Sequence, residues 1–221
     1  MTTKTIMCWS GGKDSAVALW RLQQDPAYGV AGLLTTLTEG YDRVSMSGVR
    51  RSLLRAQAEA LGLPLYEVWI PPACVNPVYE ARMGEAVERL KADGVQAVAF
   101  GDLFLEDVRE YRERQMAPTG LGCVFPIWGE DTSALSRWVV ESGFRATLVC
   151  VDPRAVPAEL AGRAYDASLL SDLPEGADPC GERGEFHTFV WDAPNFRTPI
   201  GVQAGERVER EGFWFADLAP A

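Results

Sequence analysis

Residues Thr5 to Ser15 read TIMCWSGGKDS, and this stretch decides the fold. Thr5 to Trp9 is a brief, mostly apolar run of strand length. Two glycines interrupt it, and Asp14 opens a stretch to Gln24 with Ala16, Leu19, Trp20 and Gln23 at helical spacing. Strand, glycine turn and helix in immediate succession form a cradle for an anion. Gly11 and Gly12 can take backbone angles closed to other residues, which lets N–H groups turn inward. The helix start behind them adds partial positive charge. Lys13 supplies a full charge and is expected to face solvent and phosphate. Ser10 and Ser15 supply hydroxyls. Asp14 caps the helix or helps to hold a magnesium ion. The stretch is not a Walker A loop, because Asp14 follows the lysine and Met7 stands where the first glycine belongs.

Outward from this turn, short apolar runs alternate with amphipathic ones. Val30–Leu37, Leu65–Ile70, Val95–Phe100 and Cys123–Trp128 read as further strands. Between them Val49–Leu61, Pro77–Ala92 and Asp107–Met116 read as helices, with Gly62 and Pro64 closing the first and Pro77 opening the second. The pattern predicts a doubly wound, Rossmann-like α/β fold with a five-stranded parallel sheet. Ligands bind such sheets at the carboxyl ends of the strands, where Ser10–Ser15, Glu39-Gly40 and Gly101-Asp102 fall. A soft boundary near Gly129 divides the chain into a domain that carries the anion cradle, residues 1–129, and a smaller mixed α/β closing domain, residues 130–221. In the latter, a helix capped by Thr132 or Ser133 reaches about Gly143, and Ala146–Val151, Glu185–Trp191 and Val208–Phe215 read as strands.

A net charge of −10 gives no general attraction to nucleic acid or an anionic membrane. The adjacent Arg50 and Arg51 read most simply as a solvated helix face. Five cysteines, none spaced C-x-x-C, point to a reduced, cytoplasmic chain, with Cys8, Cys123 and Cys150 as small core residues. No stretch is long and apolar enough to span a membrane.

A second concentration of chemistry lies at Asp178–Thr188, DPCGERGEFHT. Glu182 and Glu185 could bind magnesium or orient an amine, and His187, the one histidine, could serve as acid, base or phosphate donor. Gly181 and Gly184 are expected to let the backbone approach a ligand. This segment is expected to face the same cleft as Ser10–Ser15.

SGGKDS resembles the PP-loop of the N-type ATP pyrophosphatases, which have the adenine nucleotide alpha-hydrolase type of fold. Those enzymes cleave ATP between the α and β phosphates, and a nitrogen or sulfur nucleophile then displaces AMP from the substrate. The segment GERGEFHT resembles the signature of the diphthine–ammonia ligase family. Gly101-Asp102, Phe125–Gly129, Gly143–Ala146, Pro194–Phe196 and Gln57–Pro64 fit the same family. Where many of its members carry a histidine, this chain has Ser47.

The resemblance implies an ATP-dependent, AMP- and pyrophosphate-forming ligase, with ATP and Mg2+ as cofactors. Its acceptor would be a carboxylate, diphthine on elongation factor 2 in the family, and ammonia the nitrogen donor. Ser10, Gly11, Gly12, Lys13, Asp14, Ser15, Gly101 and Asp102 would hold the nucleotide. Lys13, Asp14, Glu182, Glu185 and His187 would carry catalysis. Glu182, Gly184, Glu185, His187, Thr188 and Arg112 would meet the substrate. A homodimer is compatible with the sequence. A PP-loop tRNA-modification enzyme and a non-catalytic nucleotide-binding module stay open as alternatives.

Overall fold

The computed structural model describes residues 2–221. Its first sheet contains β1 (Thr3–Cys8), β2 (Tyr28–Thr38), β3 (Arg43–Val44), β4 (Leu65–Ile70), β5 (Ala97–Ala99) and β6 (Gly122–Val124). The five parallel strands stand in the order β4-β2-β1-β5-β6. The short β3 adds an antiparallel pair, Leu37 with Val44 and Thr38 with Arg43, which the sequence pattern does not signal. β2 is long enough to lie beside β1 with its first half and beside β4 with its second.

Helices α1 (Lys13–Gln24) and α2 (Arg51–Leu61) bury Leu19, Leu22, Leu53 and Leu54 on one face of this sheet. Helices α3 (Asn76–Ala92) and α4 (Glu106–Met116) cover the other face through Ala86, Leu90, Val87 and Met116. The sheet is therefore doubly wound, and its strand order reverses between β1 and β5. That reversal opens a crevice at the carboxyl ends of the two strands. Gly62, in the left-handed region at φ 67°, stops α2 by returning its N–H to Ala58 and Glu59. The expected strand Cys123–Trp128 is only Gly122–Val124, because Trp128 already folds back in a turn onto Phe125.

Helix α5 (Thr132–Glu141) is capped not by Thr132 or Ser133 but by Asp131, whose carboxylate accepts from the Ala134 amide at 2.7 Å. A second sheet follows, antiparallel throughout: β7 (Arg145–Val151), β8 (Phe186–Asp192), β9 (Val202–Arg210) and β10 (Phe213–Pro220), in the order β8-β7-β10-β9. The short α6 (Ala167–Asp172) lies in the connection between β7 and β8. Val208–Phe215 is not one strand. It contains the hairpin turn of β9 and β10, where Glu211 and Gly212 have φ of 52° and 83°. One apolar cluster runs through both sheets, joining Leu19 and Leu54 to Leu135, Phe144 and Phe189. All five cysteines are free; Cys150 and Cys180 are buried, whereas Cys8 and Cys123 are only half-buried at the edge of the core. Among the described residues no helix is long and apolar enough to cross a membrane.

Candidate active site

The crevice at the sheet reversal is built on the turn between β1 and α1. Gly11 has φ 80°, and the extended Gly12 occupies the cap position of α1 without any side-chain cap. Space is as restrictive as conformation here. A methyl on Gly11 would stand 2.7 Å from Leu54 Cδ2, and one on Gly12 would stand 3.0 Å from the Thr188 carbonyl. Ser10 Oγ lies 3.0 Å from Ser15 Oγ and accepts from the Gly12 amide at 3.3 Å, while Ser15 Oγ donates to the Gly12 carbonyl at 2.9 Å. Gly101, at the end of β5, packs onto the start of α1: an added methyl would meet the Ser15 nitrogen at 2.9 Å.

Strand β8 crosses this turn. The Val190 amide donates to the Gly11 carbonyl at 2.9 Å, and the Lys13 amide donates to Thr188 Oγ1 at 3.0 Å. Thr188 thus supplies the cap that Gly12 lacks. Behind the turn, Gln57 is fully buried. Its Nε2 donates to the carbonyls of Gly11 (2.9 Å) and Val190 (2.6 Å), and its Oε1 accepts from Trp9 Nε1 at 2.8 Å. One side chain therefore ties β1, the glycine turn, α2 and β8 together. The role of Gln57 is absent from the sequence reading, although its position on the apolar face of α2 marks it.

Lys13 does not face solvent. It is 2% exposed, and its ammonium is held by both Asp14 oxygens (2.8 and 2.9 Å) and by the Cys180 carbonyl, beside the rings of Tyr165 and Phe186. A buried ammonium needs such partners. Burial alone would lower its pKa; the Asp14 carboxylate more than offsets that, and the net direction is up. Lys13 is therefore a fixed buried charge rather than a mobile arm.

Segment 178–188 packs against the glycine turn, but its residues play unequal parts. Glu182 Oε1 accepts from the Leu103 amide at 2.7 Å, fastening the segment to the loop after β5. Burial pushes the Glu182 carboxyl up to about 7, with the negative charges of Asp14 and Asp102 adding to the shift and the Leu103 amide opposing it. Glu185 differs. It is 5% exposed, and its two oxygens accept from the Asp178 and Arg183 amides, each at 3.0 Å. Asp178 in turn accepts from the amides of Cys180 and Glu182. Glu185 and Asp178 are reciprocal braces of the loop, each accepting two of its backbone amides.

His187 is half-buried. Burial lowers its pKa first, and the Lys13 charge lowers it further. Gly181 is pressed against its own loop. Its φ is 69°, and the space a methyl would need is taken by the Phe186 carbonyl at 2.8 Å. Gly184 faces open space. Arg112 donates to Asp102 at 3.3 Å, with its guanidinium over the Phe100 ring, and lines a cavity with Cys8 and Tyr79.

These side chains can accommodate ATP. The glycine turn at the helix start, the hydroxyls of Ser10 and Ser15 and the buried Lys13 charge suit a polyphosphate. Among the described residues no group of three or more His, Cys, Asp or Glu is close enough to hold a metal. A magnesium ion would thus take most of its ligands from the phosphates and water.

Comparison with known proteins agrees over nearly the whole chain. The family described as "Diphthamide synthase N-terminal domain" matches residues 3–122, and "Diphthamide synthase C-terminal domain" matches residues 131–219. A Bos taurus protein named diphthine--ammonia ligase is 27% identical over 95% of this chain and 86% of its own. The Danio rerio protein of the same name is 31% identical over 73% of this chain and 69% of its own. A Methanocaldococcus jannaschii structure described as a predicted subunit of tRNA methyltransferase overlays with a TM-score of 0.46 at 15% identity, covering 85% of this chain and 96% of that one, a likeness too loose to weigh for any activity.

Proposed function

The chain belongs to the diphthamide synthase family, and from that premise we propose that it is an ATP-dependent amide ligase of the diphthine–ammonia ligase type. It adenylates a carboxylate, releasing pyrophosphate, and ammonia then displaces AMP to leave an amide. The observation that carries this reading is the seating of the GERGEFHT segment on the glycine turn, through Thr188 Oγ1 on the Lys13 amide. Nucleotide and acceptor chemistry can then share one crevice.

Each residue in the crevice has a physical part. The backbone amides of Gly11 and Gly12 and the Ser10 and Ser15 hydroxyls hold the polyphosphate. Lys13, locked in place, contributes a preorganised positive charge where negative charge builds on the departing pyrophosphate. Magnesium would neutralise part of the phosphate charge. Glu182, with its pKa near 7, is suited to take the proton that the nitrogen nucleophile loses as the amide forms. His187, neutral and next to the same charges, is suited to donate or relay a proton. Residues 130–221 would act as the closing unit over residues 1–129, excluding water from the activated acyl group. The acceptor would be diphthine on elongation factor 2, the nitrogen donor free ammonia, and the setting the cytoplasm.

Incubation with ATP, magnesium, ammonium and a diphthine-bearing acceptor tests the proposal. AMP, pyrophosphate and an acceptor lighter by the difference between hydroxyl and amine are expected. ADP and phosphate as main products overturn it.

A further inference from the structure

A second charged cleft, of about 340 Å³, lies beside the start of α2 and shares no residue with the crevice described above. Arg43, Arg50, Arg51 and Arg55 all line it. Two carboxylates organise these four guanidinium groups. Asp217, from β10, accepts from Arg43 at 2.9 Å and from Arg50 Nε at 3.1 Å. Glu67, from β4, accepts from Arg51 Nε at 2.8 Å and from Arg55 Nε at 2.9 Å. Each carboxylate therefore holds two arginines and neutralises one. The exposed Asp42 comes no nearer to Arg51 than 3.9 Å.

The arrangement leaves an excess of fixed positive charge on a chain whose net charge is −10. Surface arginines that serve only as a solvated helix face need no such bracing. Here carboxylates from two separate elements of the fold, β4 and β10, are spent on aiming the guanidinium groups of α2, of its cap and of β3. A braced guanidinium keeps N–H donors free on its outer edge, in a fork that matches the oxygens of a phosphoryl group. Arg50 is also the cap residue of α2 and makes no side-chain cap bond, so the positive end of the helix adds to the field. Hydrogen bonds from the arginines outweigh the opposing effect of burial and hold Glu67 and Asp217 below the usual carboxylate range, which keeps both braces ionised.

We infer that this cleft is a second anion site, distinct from the glycine turn, which binds a dianionic phosphoryl group. The inference does not depend on the ligase reading, since it concerns binding at residues outside that crevice. The ligand is either a free phosphoryl anion or the polyphosphate tail of a nucleotide.

Calorimetric titration with inorganic pyrophosphate decides the matter. The wild-type protein is expected to take two equivalents. Arg50→Ala and Arg55→Gln are each expected to weaken one of the two by tenfold or more and to leave the other unchanged. Arg55 is 58% exposed, so its replacement tests the site even if loss of Arg50 disturbs Asp217 and the fold. A parallel titration with ATP separates the sources: ATP at both sites identifies a nucleotide tail, and ATP at one site only identifies a free anion. A single equivalent in the wild type that Arg55→Gln weakens keeps the inference and counts against pyrophosphate at the glycine turn; titrations unchanged in folded Arg55→Gln overturn the inference.

Discussion

The side-chain amide of Gln57 donates to the main-chain carbonyl of Gly11 across 2.9 Å, so helix α2 holds the nucleotide turn from behind. Gln57→Leu keeps the volume but takes the acceptor from the buried Trp9 indole N–H and a donor from the carbonyls of Gly11 and Val190, leaving the Gly11 carbonyl only the Val190 amide. Stability should fall by about 2–4 kcal/mol, and the KM for ATP should rise at least tenfold. Chemical denaturation and steady-state kinetics measure the two effects. A wild-type KM in the folded variant would show that the tie does not position the turn.

Lys13→Ala should be destabilising as well as inactive. It leaves a cavity between Tyr165 and Phe186 and removes the charge that Asp14 and the Cys180 carbonyl hold. Breaking a buried pair in this way costs about 3–5 kcal/mol at most, less here because Asp14 is partly exposed. Thermal unfolding checks this. An unchanged melting temperature would contradict the enclosed lysine.

Glu182→Gln should change two pH profiles. The carboxyl titrates at about 7 in the fold against an ordinary 4.5, so ionising it costs stability progressively as pH rises between those values. The substitution keeps the acceptor for the Leu103 amide and removes the charge. It should raise stability at pH 8 by about 1–2 kcal/mol, allowing for partial exposure, and have no such effect below pH 4.5. If Glu182 is the base, the wild-type rate falls as pH drops through 7, and the variant loses that limb along with most of its activity.

His187 gives an isolated signal, because the chain has one histidine. Its folded pKa lies below the ordinary 6.5. The neutral ring is therefore the native form at pH 7, and its contribution to stability fades as pH falls from about 6.5 through the folded value. Proton NMR titration of the imidazole follows it directly. A midpoint at or above 6.5 would rule out the buried setting.

Gly101→Ala should harm nucleotide binding through the backbone. The added methyl would meet the Ser15 nitrogen at 2.9 Å and the Asp14 carbonyl carbon at 3.0 Å, and main chain cannot swing aside as a side-chain tip can. Displacing the start of α1 should cost about 1–3 kcal/mol and weaken ATP binding by tenfold or more. Calorimetry with ATP provides the measurement, and unchanged affinity would refute the close approach.

The strand–turn–helix at Thr5–Gln24 and the alternation after it were readable because local periodicity and tertiary packing agree there. β3 was not readable, since two residues carry no periodic signal and pair only because β2 outruns β1. The hairpin in Val208–Phe215 was masked by the apolar residues on either side, although Glu211-Gly212 is a turn pair. At the site, the fold brings Thr188 of the second segment onto the glycine turn and separates the surroundings of its two glutamates. Glu185 and Glu182 look alike in sequence, and only the fold shows that one braces a loop while the other faces Asp14 and Asp102. Lys13 looked exposed because the sequence cannot show that Tyr165, Cys180 and Phe186 close over it. Gln57 carried a signal that went unread: it lies with Leu54, Ala58 and Leu61 at core spacing, and a polar side chain there must find buried partners.

The strand that crosses the glycine turn also imposes an order on biosynthesis. The bonds from Lys13 to Thr188 and from Gln57 to Val190 join positions 175 and 133 residues apart. A ribosome would release the sheet of β1 to β6 long before β8 leaves the exit tunnel. Until then α1 lacks its cap and Lys13 lacks the Cys180 carbonyl, so the nascent chain should be unable to trap ATP. A product truncated before β8 is therefore expected to leave its glycine turn without nucleotide.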